Sequence, residues 1–213
     1  MQTALVVVIS YLLGSIPAGD IAARLKGVDI RTVGSGNPGF TNVLRTLGAW
    51  VAAPVLVVDI AKGVVAVLFV AGILGSGSPL GPTGIRLAAG LAAIAGHNWP
   101  VFARFKGGRG VATACGMFAA MSPLGTLAAV LLWLAIVLTT RYVSLGSIAA
   151  SLFLPLAIWL EARLGAGHGS TALTTTALLV AIAVVVRHRA NIVRLLNGTE
   201  NRFGRSPEQG GER

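Results

Sequence analysis

Residues 111–140 read VATACGMFAAMSPLGTLAAVLLWLAIVLTT, thirty positions without one charge. A water-soluble domain has no way to coat a stretch of that length. Lipid does, so the segment reads as membrane helix. Ser122-Pro123 cuts it in two, because proline suits a first helical turn and breaks an interior one. Val111–Met121 reaches only about 16 Å as a helix, half of a hydrocarbon core of about 30 Å. Pro123–Thr140 is long enough to cross nearly all of it. Arg104, Lys106 and Arg109 precede the stretch and Arg141 follows it. Basic residues mark cytoplasmic loops, so the chain must leave and return to the same side between them.

On either side of this stretch, further apolar runs occupy Thr3–Ala22, Val51–Leu74, Ile85–Phe102, Ser144–Trp159 and Ala172–Val186. Over all 213 residues, 54% are apolar and 11% charged, against about 25% charged in soluble domains. The fold expected is all-α: a polytopic membrane helix bundle forming one domain over residues 1–213. Seven transmembrane helices are expected, with five plus a short re-entrant pair as the alternative. The Arg24–Leu47 loop holds Arg24, Lys26, Arg31 and Arg45 against Asp29 alone. It is therefore cytoplasmic, with the N-terminus outside and the C-terminus in the cytoplasm. Ser76–Gly84 and Leu164–Ser170 are nearly uncharged and fall outside. The first segment lacks a basic leading region and reads as a retained span. The tail from about residue 204 is expected to be flexible.

The net charge is +10. Without a polar domain to present a basic face, this excess argues for positive-inside topology and against nucleic-acid binding. The single cysteine, Cys115, excludes an internal disulfide and a cysteine-rich metal site.

Three polar blocks do not belong in a simple bundle, and the topology puts all of them on the cytoplasmic side. In the first, Gly34-Ser-Gly-Asn-Pro-Gly39-Phe-Thr-Asn42-Val-Leu-Arg45, Gly34, Gly36 and Gly39 permit tight backbone paths with positive φ that expose N–H groups to an anion. Ser35, Asn37, Thr41 and Asn42 add neutral hydrogen-bonding groups, and Arg45 a fork suited to phosphate. No strand precedes the block, so its G-x-G-x-x-G spacing is not a dinucleotide fingerprint. The second block runs from Gly96 through His97, Lys106, Gly107, Gly108, Arg109 and Gly110 to Thr113. It leads a glycine turn and two cations into the start of an apolar helix, a ready anion site. The third block, His188 to Phe203, puts His188, Asn191 and Arg194 on roughly one helical face, with Glu200 after it. Asp59 and Lys62, three apart inside the second apolar run, form an ionisable pair in a membrane helix. They either neutralise each other or serve the site. Together these groups suit one or two phosphates. No Asp/Glu/His cluster suits a metal, and no nucleophile motif is present.

At these residues the chain resembles the bacterial acyl-phosphate-dependent glycerol-3-phosphate acyltransferases. The resemblance covers Leu13–Pro17, Gly34–Arg45, Asp59 to Gly63, Gly96–Thr113 and His188–Phe203, in order and nearly end to end. Pro38 and Phe40 stand where the family more often has an apolar residue and alanine, and Arg109 stands where lysine is common. The resemblance implies a multi-pass enzyme of the bacterial plasma membrane, acting as a monomer from the cytoplasmic face. Its substrates would be glycerol-3-phosphate and a fatty acyl phosphate, with membrane lipids around it and no cofactor or metal. It implies that Ser35, Arg45 and Lys106 grip phosphates. Gly107, Gly108 and Gly110 would admit backbone donors to the acyl phosphate. His188 and Asn191 would bind the glycerol end, and Glu200 would hold the third block together. A transporter for a phosphorylated anion is the competing reading; it needs a polar path across the bilayer.

Overall fold

The computed structural model describes residues 1–165 and 170–204; the expected flexible tail lies outside them from residue 205. The described residues form helices and no strand: α1 (Gln2–Gly14), α2 (Ala18–Arg24), α3 (Phe40–Leu47), α4 (Ala49–Val65), α5 (Ala71–Leu74), α6 (Gly81–Asn98), α7 (Val111–Met121), α8 (Pro123–Thr140), α9 (Val143–Arg163), α10 (Thr171–Arg187) and α11 (Arg189–Leu196). Length and composition mark four as able to cross a membrane: Gln2–Arg24, Ala49–Leu74, Pro123–Thr140 and Val143–Arg163. The pair α10 and α11, bent by 60°, makes a fifth. The protein is a multi-pass membrane protein whose large outward side chains, such as Val57, Leu131, Leu138, Leu152 and Leu179, are exposed to its surroundings.

The break at Ser122-Pro123 falls where the sequence puts it: α7 ends at Met121 and α8 begins at Pro123. Its new helix start is capped from a distance. Glu161 of α9 accepts the Gly125 N–H at 2.8 Å and the Ser122 hydroxyl, a carboxylate satisfying orphan donors at the positive end of a helix. At the other end of α8, Arg141 adopts a left-handed conformation (φ 62°), reversing the chain into α9.

Close helix crossings rest on small residues. A Cβ at Gly63 of α4 would collide with the Thr113 carbonyl of α7, and one at Gly116 of α7 with the Ile60 carbonyl. The two backbones touch there, as in small-residue membrane packing. The second apolar run is one element interrupted by a π-helical turn at Ala66–Val70. The third starts at Gly81 and stops at Asn98, earlier than the expected Phe102, because Pro100 removes a donor and restrains Trp99. The last two spans extend beyond their expected bounds, to Val143–Arg163 and Thr171–Arg187.

Candidate active site

The first polar block folds around Asn42. Its side chain is 3% exposed; Oδ1 accepts the Ser35 N–H at 2.9 Å, and Nδ2 donates to Val33 O at 3.0 Å and Ile30 O at 3.3 Å. Its hydrogen bonds go to the loop, so Asn42 shapes the loop from within. Gly34 and Gly36 take positive φ, 60° and 67°, which side-chain-bearing residues rarely adopt; Gly39 does not, being extended at φ −80° where it leads into α3. Asn37 accepts the Gly39 N–H at 3.1 Å in a local turn. The chain then enters α3, whose i,i+4 spacing aims Thr41 and Arg45 at a common cavity. Burial lowers the Arg45 pKa from its ordinary value; Glu200 opposes that shift and Arg194 adds to it.

The second block leaves α6 at Asn98 and turns through Arg104 and Phe105, both left-handed at φ 52° and 60°. Two clamps hold it. Arg31 donates to both oxygens of Asp20, at 2.8 and 2.9 Å, and to the Lys106 carbonyl at 2.7 Å. This ties the stretch just before the first block, and Asp20 of α2, to the second block. Arg187 donates to the carbonyls of Asn98, Gly107 and Gly108. Arg109 enters the same cavity as Arg45. Its pKa is lowered to about 10 by burial, Glu200 pulling it up and Arg194, Arg187 and Arg45 pushing it down.

The third block turns at His188, which is 2% exposed. Its Nδ1 stands 2.8 Å from the Val184 carbonyl. A carbonyl only accepts, so Nδ1 carries the proton there, and Nε2 is the ring's remaining acceptor when the imidazole is neutral. Glu200 organises the rest of the block: Oε1 accepts from Asn191 Nδ2 at 2.6 Å and Ser144 Oγ at 2.9 Å, and Oε2 from Arg194 Nε at 2.7 Å.

These elements enclose one cavity of about 310 Å³. Ser35, Arg45, Arg109, His188, Asn191 and Arg194 form its polar end. Its depth runs between α7, α8, α9 and α10 past Ala114, Ala129, Val130, Leu154, Ala177 and Val180. Asn37, Thr41, Asn42, Gly110, Glu200, His97 and Asp59 also line it. Other expected site residues stand elsewhere. The Lys106 side chain is exposed and does not line the cavity. Gly34 and Gly36 shape the first loop from behind the wall. Gly107 and Gly108 border a smaller recess that also touches Asp59, His97 and Lys62. Thr113 is fully buried where α7 crosses α4. Lys62 is engaged internally, bonded to Asp59 Oδ1 and Ile16 O, both at 2.6 Å; His97 Nδ1 lies 3.4 Å from the same Asp59 oxygen. Among the described residues no group of three His, Cys, Asp or Glu is placed to hold a metal.

Sequence reasoning missed Ser144, Arg31 and Arg187. Ser144 lies in an apolar run with no local mark of function. The two arginines look like ordinary positive-inside charges until their carbonyl partners are seen.

Comparison with known proteins bears on this arrangement. Residues 4–198 match the family model described as glycerol-3-phosphate acyltransferase. A glycerol-3-phosphate acyltransferase of Geobacter sulfurreducens is 49% identical over 195 residues, covering 92% of this chain and 94% of that one. One from Halalkalibacterium halodurans is 46% identical over 206 residues, covering 96% and 97%. Two crystal structures of PlsY, an integral membrane glycerol 3-phosphate acyltransferase, superpose with 41% identity over 96% of each chain. TM-scores are 0.85 for the glycerol 3-phosphate form and 0.81 for the lysophosphatidic acid form. With the match spanning the first two polar blocks, most of the third and the helices that carry them, the chain belongs to the glycerol-3-phosphate acyltransferase family.

Proposed function

We propose that the protein transfers a fatty acyl group from acyl phosphate to the 1-hydroxyl of glycerol-3-phosphate, yielding lysophosphatidic acid and inorganic phosphate. The observation that carries this reading is the single cavity joining a cationic, hydrogen-bonding end to an apolar depth. Such a space takes a phosphate and an acyl chain at once. The relatives' glycerol-3-phosphate acyltransferase activity supplies the acceptor.

The chemistry needs little from the protein beyond placement and charge. The glycerol oxygen attacks the acyl carbonyl, the carbon–oxygen bond to phosphate breaks, and the hydroxyl proton leaves for His188 Nε2 or for a phosphate oxygen. Acyl phosphate is a mixed anhydride with a good leaving group, so a covalent enzyme intermediate is unnecessary. Holding both substrates in reacting geometry and neutralising the departing phosphate account for the acceleration. Arg45 and Ser35 grip phosphate from the first block, and Arg109 with Gly110 from the second. Lys106 meets anions at the rim. His188 and Asn191 hold the glycerol end, with Glu200 fixing Asn191 and Arg194.

The same reading sets the protein in the bacterial plasma membrane as a monomer. Seven helices cross or enter the bilayer, counting α6 and the short α7; the N-terminus is outside and the active site faces the cytoplasm. Basic residues Arg24, Lys26, Arg31, Arg104, Lys106 and Arg189 around the polar end support that orientation.

The test is an assay of protein in lipid nanodiscs with glycerol-3-phosphate and palmitoyl phosphate, run beside palmitoyl-CoA and acyl carrier protein thioesters. Acceptor-dependent phosphate release without thioester use is the expected result. Turnover with thioesters alone would overturn the donor assignment.

A further inference from the structure

We infer that Arg187 is a positioning residue, which sets the glycine loop so that the Arg109 backbone N–H is presented to the phosphate of the acyl donor. The inference rests on the proposed acyl-phosphate chemistry. Arg187 is the last residue of α10, next to His188. One of its terminal nitrogens, Nη2, meets three carbonyls from a single loop: Asn98 O at 3.4 Å, Gly107 O at 3.3 Å, and Gly108 O closest of all. The guanidinium also lies over the Trp99 ring, 5.5 Å from its centroid, a cation–π contact that fixes its plane. Few solvated surface arginines converge on three backbone acceptors, and this one turns away from the cavity, which it does not line.

Peptide planarity then sets the next amide. In a trans peptide the N–H points opposite to the carbonyl. With the Gly108 carbonyl drawn to Arg187, the Arg109 N–H faces away from Arg187. No acceptor among the described residues bonds it. Arg109 and Gly110 line the cavity that Arg187 does not, so this N–H adds a donor beside the Arg109 side chain. It also sits next to the N-terminus of α7, whose aligned amides favour an anion at the same spot. The Gly107 carbonyl, likewise held, sets the neighbouring peptide, whose Gly108 N–H donates to His97 O at 3.1 Å. Arg187 thus acts on the donor through the loop, without touching it.

The experiment compares wild-type protein with Arg187→Ala and Arg187→Lys in nanodiscs. Steady-state kinetics vary palmitoyl phosphate and glycerol-3-phosphate separately, and hydrogen exchange follows the loop amides. In Arg187→Ala the KM for palmitoyl phosphate is expected to rise about tenfold, the worth of a charge-assisted hydrogen bond. The KM for glycerol-3-phosphate should stay within about twofold, the unfolding temperature should hold, and the Gly108 amide should lose protection. Arg187→Lys, which restores a cation but no fork, should recover part of the donor KM. Unchanged kinetics, or both KM values rising together with a lowered unfolding temperature, would overturn the inference. If wild-type protein does not turn over palmitoyl phosphate, the functional proposal fails by itself. The part of the inference that concerns the acyl donor falls with it, and exchange then decides the part that remains: an unprotected Gly108 amide in Arg187→Ala supports Arg187 as the residue that sets the loop, and an unaltered one sinks that too.

Discussion

Glu200 Oε1 accepts from Asn191 Nδ2 at 2.6 Å, while its other oxygen holds Arg194 Nε at 2.7 Å. One carboxylate beyond the end of α11 therefore fixes two cavity-lining side chains of that helix, and through Ser144 it ties them to α9 as well. Replacing it by alanine leaves Asn191 and Arg194 without their common acceptor. Loss of a buried, charge-assisted partner costs about 2–3 kcal/mol. Glu200→Ala should lose on the order of 100-fold in kcat/KM for glycerol-3-phosphate. Glu200→Gln, which keeps acceptors but not charge, should retain more. Parity between the two variants would mean that the charge is irrelevant.

Arg45 reaches the cavity from α3 with no carboxylate paired to it among the described residues. A phosphate is the partner its charge calls for. Arg45→Ala should raise the KM for a phosphate-bearing substrate by 10- to 100-fold, the range of a lost hydrogen bond to a charged group, about 1.5–3 kcal/mol. Arg45→Lys should rescue only part, since lysine lacks the planar fork. Full activity in Arg45→Ala would remove the phosphate grip from the first block.

Arg109 offers a pH signature. Its pKa, lowered to about 10 mainly by burial, makes it cationic below that pH and neutral above it. Anion affinity should therefore be steady through neutrality and fall as pH rises past about 10. Titrating inorganic phosphate binding from pH 8 to 11 by calorimetry reads this directly. Arg109→Ala should bind phosphate weakly throughout and lose the inflection.

How much of this was legible beforehand varies with the physics. The helices were, because thirty uncharged residues admit few alternatives and the proline of Ser122-Pro123 opens a new helix, although Pro54 and Pro155 are carried inside α4 and α9 without ending them. Thus α7 and α8 begin and end where residues 111–140 place them. The three blocks were legible as polar chemistry out of place in lipid. Their internal division of labour was not. Asn42 reads as a ligand but spends its side chain on the loop carbonyls and the Ser35 amide. Arg31 and Arg187 read as topology signals but hold backbone. Such assignments depend on which carbonyls converge in space, and a linear pattern of charges carries no record of that.

His188 has its Nδ1–H committed to Val184 O, which fixes the ring and directs Nε2 as the acceptor. A proton acceptor placed that way contributes 10²–10⁴-fold in rate. His188→Ala should therefore lower kcat by about 100-fold with KM for palmitoyl phosphate little changed. His188→Asn, able to hydrogen-bond but not to take the proton, should match the alanine variant. Near-normal kcat in His188→Asn would shift the proton's destination to the substrate phosphate.

The cavity's depth should act as a gauge of acyl length. On α9, Leu154 lies ten residues beyond Ser144, about 15 Å along the helix axis, and Ala177 of α10 lines the same space. The hydroxyls along this wall do not offer a polar track: Ser147 and Ser151 donate back to Val143 O and Ile148 O of their own helix. Apart from the Thr126 hydroxyl, which lines the cavity without a partner among the described residues, that leaves an apolar slot suited to a hydrocarbon tail, whereas a transport path would require polar partners across the bilayer. Ala177→Leu adds three carbons where Ala177 is 1% exposed, so the added volume must come from the slot or from strain. Where it comes from the slot, kcat/KM should shift by about tenfold toward shorter acyl phosphates, the scale of one or two methylenes excluded from an apolar site. Octanoyl, lauroyl and palmitoyl phosphates assayed side by side give the profile. A uniform decline across all three lengths would mean that the tail lies elsewhere and that the substitution acts through packing alone.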